Sequence, residues 1–573
     1  MCGRQSAHYM DRLGHASARG IAPLLMVLLL LVSSWSMFGV NDLLTSEPLD
    51  DSVSPLDASA RGSGGRIDVG EWRIGDEWIF AGAMDVDELV ATAETVTSDA
   101  SLLLTNMTQT VVDIYEMDVD GEDTLVYEVY GSGLFEESNV SMDRYRGDLD
   151  VLWESTDIFR VSDMAIVSTS LAVEVEFLAF DRIVVYIANM SVIDTYHPPK
   201  EVYDFPLRVG DTWTNNFSHD MDYSGYSPYF PVSEDHIRFN ESQHMVVAQG
   251  NPNVPYGNGC ANSYNATDTN ETGLVQDYRW WCPEVNNYAW RHYRNNIGLW
   301  IDFKLKEYNP VPRDLNIDVD LLYPSWATDT DIDAWVNVTD DQGAPVSGQD
   351  LLFRYAGSGS NSTITTDANG SAHVVFNTGH ALDPSLSPDD TASHGVFAWV
   401  AGIEATSQNW TWVVGSGATM VLDDGLLSLD YQPRSAGVSV ERTRDGEMVV
   451  LNPVFGFHAI PGDLLEFTVP VYNRGINGGP ATELEVTAPD GSTSRASVSA
   501  LGPMQEESVD LSWTVPGEQA VGDVTITFTV DPDELVTADE DRTNNVGTFS
   551  MFIGRLPVAG INQPEPVFTQ VAM

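Results

Sequence analysis

Between residues 461 and 553 apolar side chains recur at every second position, and this period constrains the chain more than any other feature. Leu465, Phe467, Val469 and Val471 fall on one face of an extended segment, as do Val509, Leu511, Trp513 and Val515, and then Val524, Ile526, Phe528 and Val530. The residues between them are mostly Glu, Asp, Ser and Thr. A period of two means strands with one buried and one wet face. Turn signals separate the runs at Asn473-Arg474-Gly475, Pro489-Asp490-Gly491, Pro516-Gly517 and Asp531-Pro532-Asp533. Strands and turns at this spacing over about 90 residues predict a seven-strand antiparallel sandwich.

The same stretch carries Val471-Tyr472-Asn473-Arg474-Gly475, a Trp513-Thr514-Val515-Pro516 strand end, and Val530-Asp531-Pro532-Asp533-Glu534 leading to Glu540, Asp541, Asn544 and Asn545. These residues resemble the CARDB domain, an Ig-like, adhesion-associated module of bacterial and archaeal surface proteins. The resemblance implies a binding or spacer module over residues 455–553, about a sixth of the chain.

The rest of the sequence is consistent with a surface location. The 573 residues suit several domains. Residues 1–20 carry Arg4, Arg12 and Arg19, and an apolar run follows from Ile21 to Val40. A basic flank before an apolar core is an export signal. Two readings of residues 1–40 stay open: a signal peptide cleaved near Ser36, or an uncleaved anchor whose twenty residues span ~30 Å as a helix. Either way the charge order sends residues 41–573 outside, to the extracellular face of the membrane or into the medium. Residues 41–65 are acidic, Pro-, Ser- and Gly-rich and aperiodic, as a flexible linker would be. The net charge is −58, and the only lysines are Lys200, Lys304 and Lys306. Nucleic acid is thereby excluded as a partner, because phosphate contacts need Lys and Arg.

Residues 66–310 read as one large antiparallel β domain. Asp120-Gly121 between two strand-like runs marks a two-residue hairpin. A Gly-Asp-x-Trp element occurs twice, from Gly75 to Trp78 and from Gly210 to Trp213. The pattern is similar to the curved sheets of lipoprotein-type β domains, which implies an open concave face able to wrap an apolar ligand. Trp78, Trp213, Trp280, Trp281, Trp290 and Trp300 are expected in the core. Residues 314–414 are similar to bacterial Ig-like domains, through Val338-Thr339-Asp340 with Gly343-Ala344-Pro345-Val346 and the Thr366-Asp367-Ala368-Asn369-Gly370 turn. Residues 415–454 connect to the last sandwich, with Val438, Val440 and Met448–Leu451 able to form an edge hairpin. Residues 554–573 form a tail. The expected fold is therefore all-β and multidomain: a large N-terminal β domain followed by two Ig-like sandwiches.

Cys260 and Cys282 lie in a Gly/Asn-rich insertion from Asn251 to Asn287, expected as a loop that presents its aromatics, and an exported chain should join them. Eleven Asn-x-Ser/Thr sequons, at Asn106, Asn139, Asn189, Asn216, Asn240, Asn265, Asn270, Asn337, Asn361, Asn369 and Asn409, are glycosylation candidates.

Catalytic motifs fail: there is no Gly-x-Ser-x-Gly, no His-Glu-x-x-His and no Gly-Lys pair. No cofactor is implied. Acid clusters at Asp329, Asp331 and Asp333, and at Asp531, Asp533, Asp539 and Asp541, are the candidate metal sites, with Ca²⁺ the cation a sandwich-end turn would take. Neither has EF-hand spacing. Tyr256, Tyr264, Tyr278, Trp280 and Trp281 stand close together in sequence and are the candidate recognition residues. The expected function is non-enzymatic adhesion or binding of a cell-surface protein, glycan or apolar ligand, with the Ig-like modules as spacers and an N-terminal helix in the membrane. The alternative is a secreted envelope hydrolase whose site lies in residues 66–310.

Overall fold

The computed structural model describes residues 67–555, apart from 88–97, 143–144, 181, 211, 228–234, 270–274, 295–299, 313, 322–324, 327–329, 356–361, 378–391, 402–411, 423–426 and 452–455. The leader, the linker and the tail lie outside the described residues. The described residues fall into two compact units, one ending at Leu422 and the other beginning at Leu427.

The first unit opens with twelve antiparallel strands: β1 (Glu77–Asp85), β2 (Leu102–Val119), β3 (Glu122–Met142), β4 (Tyr145–Arg160), β5 (Ile166–Ala179), β6 (Ile183–Lys200), β7 (Thr212–Tyr226), β8 (Asp235–Gly250), β9 (Ser263–Thr269), β10 (Val275–Cys282), β11 (Asn287–Arg294) and β12 (Trp300–Asn309). Each strand pairs with its neighbours in sequence, and β1 pairs with both β2 and β12. The expected open concave sheet is thus a closed barrel, and closure leaves no unpaired edge. Alternation fills the interior. Trp78, Phe80 and Met84 on β1, Leu125, Tyr127, Val129 and Phe135 on β3, and Leu149, Val151 and Trp153 on β4 are buried. Between them Tyr130, Leu134, Glu136, Leu152 and Glu154 are exposed. The inner face is thus largely apolar, whereas the outer face mixes Glu with apolar side chains. Each fully buried Trp or Phe contributes about 1.5–3 kcal/mol or more from apolar area alone.

Local turn chemistry sets the strand starts. Asp120 (φ 55°) and Gly121 (φ 91°) form the two-residue β2–β3 turn, a left-handed pair that Asp-Gly adopts readily. Gly75 (φ 96°) and Gly210 (φ 86°) precede β1 and β7, which sit opposite each other in the barrel order. Gly75 N–H donates to Val111 O at 2.7 Å, and Gly210 N–H donates to Val247 O at 2.8 Å. The repeated Gly-Asp-x-Trp therefore leads into the first and the seventh of the twelve strands.

A sandwich packs on the barrel within the same unit. It has a three-stranded sheet (Leu315–Leu321, Ile332–Asp340, Ser371–Phe376) and a five-stranded one that includes Asp350–Tyr355, Ala392–Ala401 and Trp412–Leu422. Its core holds Ile332, Val336, Phe353, Phe376 and Met420. The Tyr127 hydroxyl donates to Gly415 O at 2.6 Å and accepts from Trp72 N–H at 3.3 Å. The Asp68 carboxylate accepts from Thr419 N–H and, at 2.7 Å, from the Thr419 hydroxyl. A Cβ at Gly417 would lie 2.7 Å from Ser162 O, so the close approach requires glycine.

The second unit is a sandwich of two five-stranded sheets. Leu464–Asn473 pairs along one edge with Ser439–Arg444 and then Tyr431–Pro433, and along the other with Glu506–Thr514. Leu465, Phe467, Val469, Val471, Ile526, Phe528 and Val530 are fully buried, as their alternation requires. The expected connector 415–454 is divided: Trp412–Leu422 completes the preceding sandwich, whereas Tyr431, Val438 and Val440 are buried in this one. Glu441 pairs with Val450 through Arg444 with Glu447 as a hairpin at the sheet edge.

Candidate functional site

The Cys260–Cys282 disulfide is formed. It links a short 3₁₀ turn, Gly257–Cys260, to the end of β10. The stretch from Asn251 to Asn287 is not an insertion, because it supplies barrel strands β9 and β10. That changes the recognition residues. Tyr264, Trp280 and Trp281 are 5%, 3% and 2% exposed. Tyr256 is half-buried against the core. The expectation of a loop presenting all five aromatics is therefore corrected. Their density in sequence reflects ladder positions whose rings fill the barrel wall and interior.

Tyr278 alone of the five reaches an outer surface with aromatic neighbours. It pairs across the ladder with His292, and His292 pairs with Asp302 on β12. Next along the strands, Trp290 pairs with Lys304. Tyr278 meets Trp290 edge-to-face at 5.1 Å between centroids and stacks on His292 at 4.8 Å, and Trp300 lies 6.0 Å from His292. One Asp302 oxygen accepts from Trp290 Nε1 at 2.8 Å and contacts His292 Nδ1 at 2.9 Å. Lys304 Nζ stands 4.2 Å from the centre of the Trp290 ring. Tyr278, Trp290, His292 and Trp300 are all half-buried, and the neighbouring β1 residues Ala81 and Ala83 offer only methyl groups. The result is an aromatic strip held rigid by one carboxylate, with a cation at its end.

Trp290 and Trp300 were expected in the core and instead lie on this face. Ile301, Phe303 and Leu305 take the interior positions of β12, which leaves Trp300, Asp302 and Lys304 outside. That alternation was readable from sequence; the β10–β11–β12 pairing that gathers the strip was not.

Other His–Asp pairs decorate the barrel: His197–Asp120 at 2.6 Å, His236–Asp222 at 2.8 Å, and the fully buried His219 with Asp194 at 2.8 Å. In the first sandwich Asp333 contacts His373 at 2.7 Å. Asp331 accepts from Asn377 at 3.4 Å, and Asp329 lies outside the described residues.

The four candidate Ca²⁺ ligands do not converge. Asp531 accepts from Leu535 and Val536 N–H at 3.0 and 2.9 Å. Asp533 pairs with Arg495 at 2.8 Å. Asp539 accepts from Asn545 at 3.0 Å, and Asp541 caps Thr543 N–H at 3.0 Å. Burial, only partly opposed by Asn545, pushes the Asp539 carboxyl above the usual range. Among the described residues no group of three or more His, Cys, Asp or Glu is placed to hold a metal ion.

Of the sequon residues, Asn106, Asn139, Asn189, Asn216 and Asn369 are exposed, and Asn337 is half-buried with Oδ1 accepting from Ser371. Asn265 is 1% exposed and bonded to Thr267, so as a glycan acceptor in the folded chain it is corrected. Asn270, Asn361 and Asn409 lie outside the described residues, as does the side chain of Asn240. No helix among the described residues is long and apolar enough to cross a membrane.

Among solved structures, the chain is similar to the CARDB domain of the PF1109 protein from Pyrococcus furiosus, determined in complex with di-metal ions. The identity is 24% and the TM-score 0.17, over 22% of this chain and 91% of that one. An NMR structure of the same domain is 28% identical, TM-score 0.15, over 20% and 93%. A tetra-tandem repeat from the extending region of a large adhesion protein is 12% identical, TM-score 0.13, over 70% and 95%. No curated protein matches the chain. The CARDB family model matches residues 450–549, and with the buried alternation of its strands this stretch is a CARDB domain of Ig-like fold.

Proposed function

We propose that this chain is an exported cell-surface protein that binds a glycan through its barrel, with the two Ig-like sandwiches that follow it in the chain acting as spacer modules. The observation that carries the reading is the outward strip Tyr278–Trp290–His292–Trp300 beside Asp302 and Lys304. A pyranose ring presents an apolar C–H face and a rim of hydroxyls. Tyr and Trp match the face, and their polar tips with a fixed carboxylate match the rim. The CARDB domain, the disulfide and the export-type leader support the surface location. On this reading the leader either anchors the chain or is removed, and the sandwiches act as spacers.

The test uses the full exported chain on an array of cell-envelope and extracellular polysaccharides. Trp290→Ala and Tyr278→Ala should weaken retention at least about tenfold, in line with the ≥2 kcal/mol of an aromatic hot spot, with circular dichroism unchanged. Retention that is absent in the parent, or equal in the variants, rejects the strip as the site. Protease shaving of intact cells should remove the chain; protection until lysis rejects the surface location.

A further inference from the structure

The barrel interior is not uniformly apolar. Along β10 and β11 the ladder sets Arg279 opposite Arg291, Trp281 opposite Tyr288, and Asp277 opposite Tyr293. These positions face inward: Arg291 pairs with the buried Phe303, Trp281 is 2% exposed, and Tyr288 stacks on the core residue Phe80 at 4.6 Å. Tyr203, from the segment between β6 and β7, packs on Trp281 at 5.2 Å. From the opposite wall Asp157, on β4, faces the two guanidinium groups across the interior and is bonded to Thr169. Arg279 and Arg291 are two of only 27 Lys and Arg in a chain of net charge −58.

Three donors in this cluster lack a partner although the side chains are more than nine-tenths buried. They are the Tyr203 hydroxyl, the Tyr288 hydroxyl and Trp281 Nε1. Gln109, the neighbour that comes into reach of the Tyr288 hydroxyl, does not meet hydrogen-bond geometry. A buried polar group left without a partner costs about 1–3 kcal/mol, so three in one place call for a bound species. Arg291 and Asp157 keep accessible surface, each only half-buried, although both positions face inward.

We infer that the barrel interior binds a small oxyanion, a carboxylate, phosphate or sulfate group, between Arg279, Arg291, Tyr203, Tyr288 and Trp281. The balance of donors and acceptors sets the sign. An indole N–H and the guanidinium groups only donate and the two phenols can donate, so three orphaned donors stand against one orphaned acceptor, Asp277 Oδ1, whose partner oxygen accepts from Arg279 at 3.3 Å. Burial, opposed by Thr169 and the two guanidinium groups, holds Asp157 above the usual carboxylate range, which weakens the one carboxyl on the opposite wall as a competitor for the guanidinium groups. Such a site is independent of the outer aromatic strip.

The experiment is titration calorimetry on the full chain with inorganic phosphate, sulfate and acetate, each against NaCl at matched ionic strength. Matching is essential because any salt screens so acidic a chain. Saturable heat is expected from at least one oxyanion and none from chloride. Tyr203→Phe combined with Tyr288→Phe should weaken binding about tenfold or more, while Trp290→Ala leaves it unchanged. Arg291→Lys, which keeps the charge, should retain more affinity than Arg291→Met. Absence of saturable binding by all three oxyanions in the parent overturns the inference and assigns the cavity to water. Binding unchanged in the folded double Phe variant overturns it as well. If that variant does not fold, the parent titration and the Lys–Met comparison decide.

Discussion

Asp463 shows how a single buried charge is held in the second unit. It is 1% exposed, and its carboxylate accepts from Arg444 Nε and Nη2, both at 2.8 Å, and from Ile460 N–H at 2.8 Å. Burial alone would raise its pKa, but the guanidinium fork and the amide outweigh burial and hold it below the usual carboxylate range. A depressed pKa contributes stability that is present above pH ~4 and lost as the pH falls through the lower folded-state value. The thermal transition of this unit should therefore weaken below about pH 4. Arg444→Ala removes the fork and should cost about 2–3 kcal/mol at pH 7. It should also reverse the slope between pH 3 and 6, because an unpaired buried carboxyl prefers its proton. Calorimetry of the variant across that range checks the sign. At the same scale the sequons separate by burial. Glycopeptide mapping from a glycosylating host should find Asn265 unoccupied, with Asn106, Asn189 and Asn216 available; occupancy at Asn265 would contradict the ladder position of β9.

The elements were largely legible because period two survives wherever one face is buried. Phe467, Leu511 and Phe528 were readable as core without any contact information, and the Asp120-Gly121 turn was readable from two residues. Long central strands hid more. β3 has 21 residues, and it holds Gly131 and Gly133 at inward positions. A Cβ at Gly131 would lie 2.5 Å from the Ser155 hydroxyl. The stretch around Cys260 looked like a loop because its Asn and Gly residues mask short strands. Two element-scale outcomes follow. Gly417→Ala forces a Cβ against Ser162 O and Val161 O and should destabilise the first unit by about 1–3 kcal/mol, read as a lower denaturation midpoint. Reducing Cys260–Cys282 releases a closure over 22 residues of sequence and should lower the stability of the barrel by about 3 kcal/mol. A midpoint unchanged by reductant would mean the barrel ladder alone fixes that end.

For the molecule as a whole, charge sets the behaviour in solution. Beyond residue 40 there are 24 Lys and Arg against 84 Asp and Glu. Like charges at this density repel, and salt screens them beyond about 10 Å at 0.1 M. The Tm should rise between low and molar NaCl, with both units responding because acids cover the outer faces of barrel and sandwiches alike. MgCl₂ and CaCl₂ at matched ionic strength should act equally on the second unit, since Asp531, Asp533, Asp539 and Asp541 are engaged separately. A Ca²⁺-specific increment removed by Asp539→Asn would show instead that the turn rearranges to bind.

The sequence by itself determined the strand content, the CARDB domain, the inward faces of most strands and the cysteine pair, because each follows from local alternation, turn residues or the count of thiols. Only the tertiary structure decided that the large sheet closes, that residues 412–422 and 431–450 belong to different sandwiches, and that Trp281 is buried while Trp290 is not. Closure depends on β1 meeting β12 across more than two hundred residues, a pairing that no local pattern encodes. The same long-range pairing gathers Tyr278, Trp290 and His292 outside the wall and Arg279, Arg291 and Tyr288 within it.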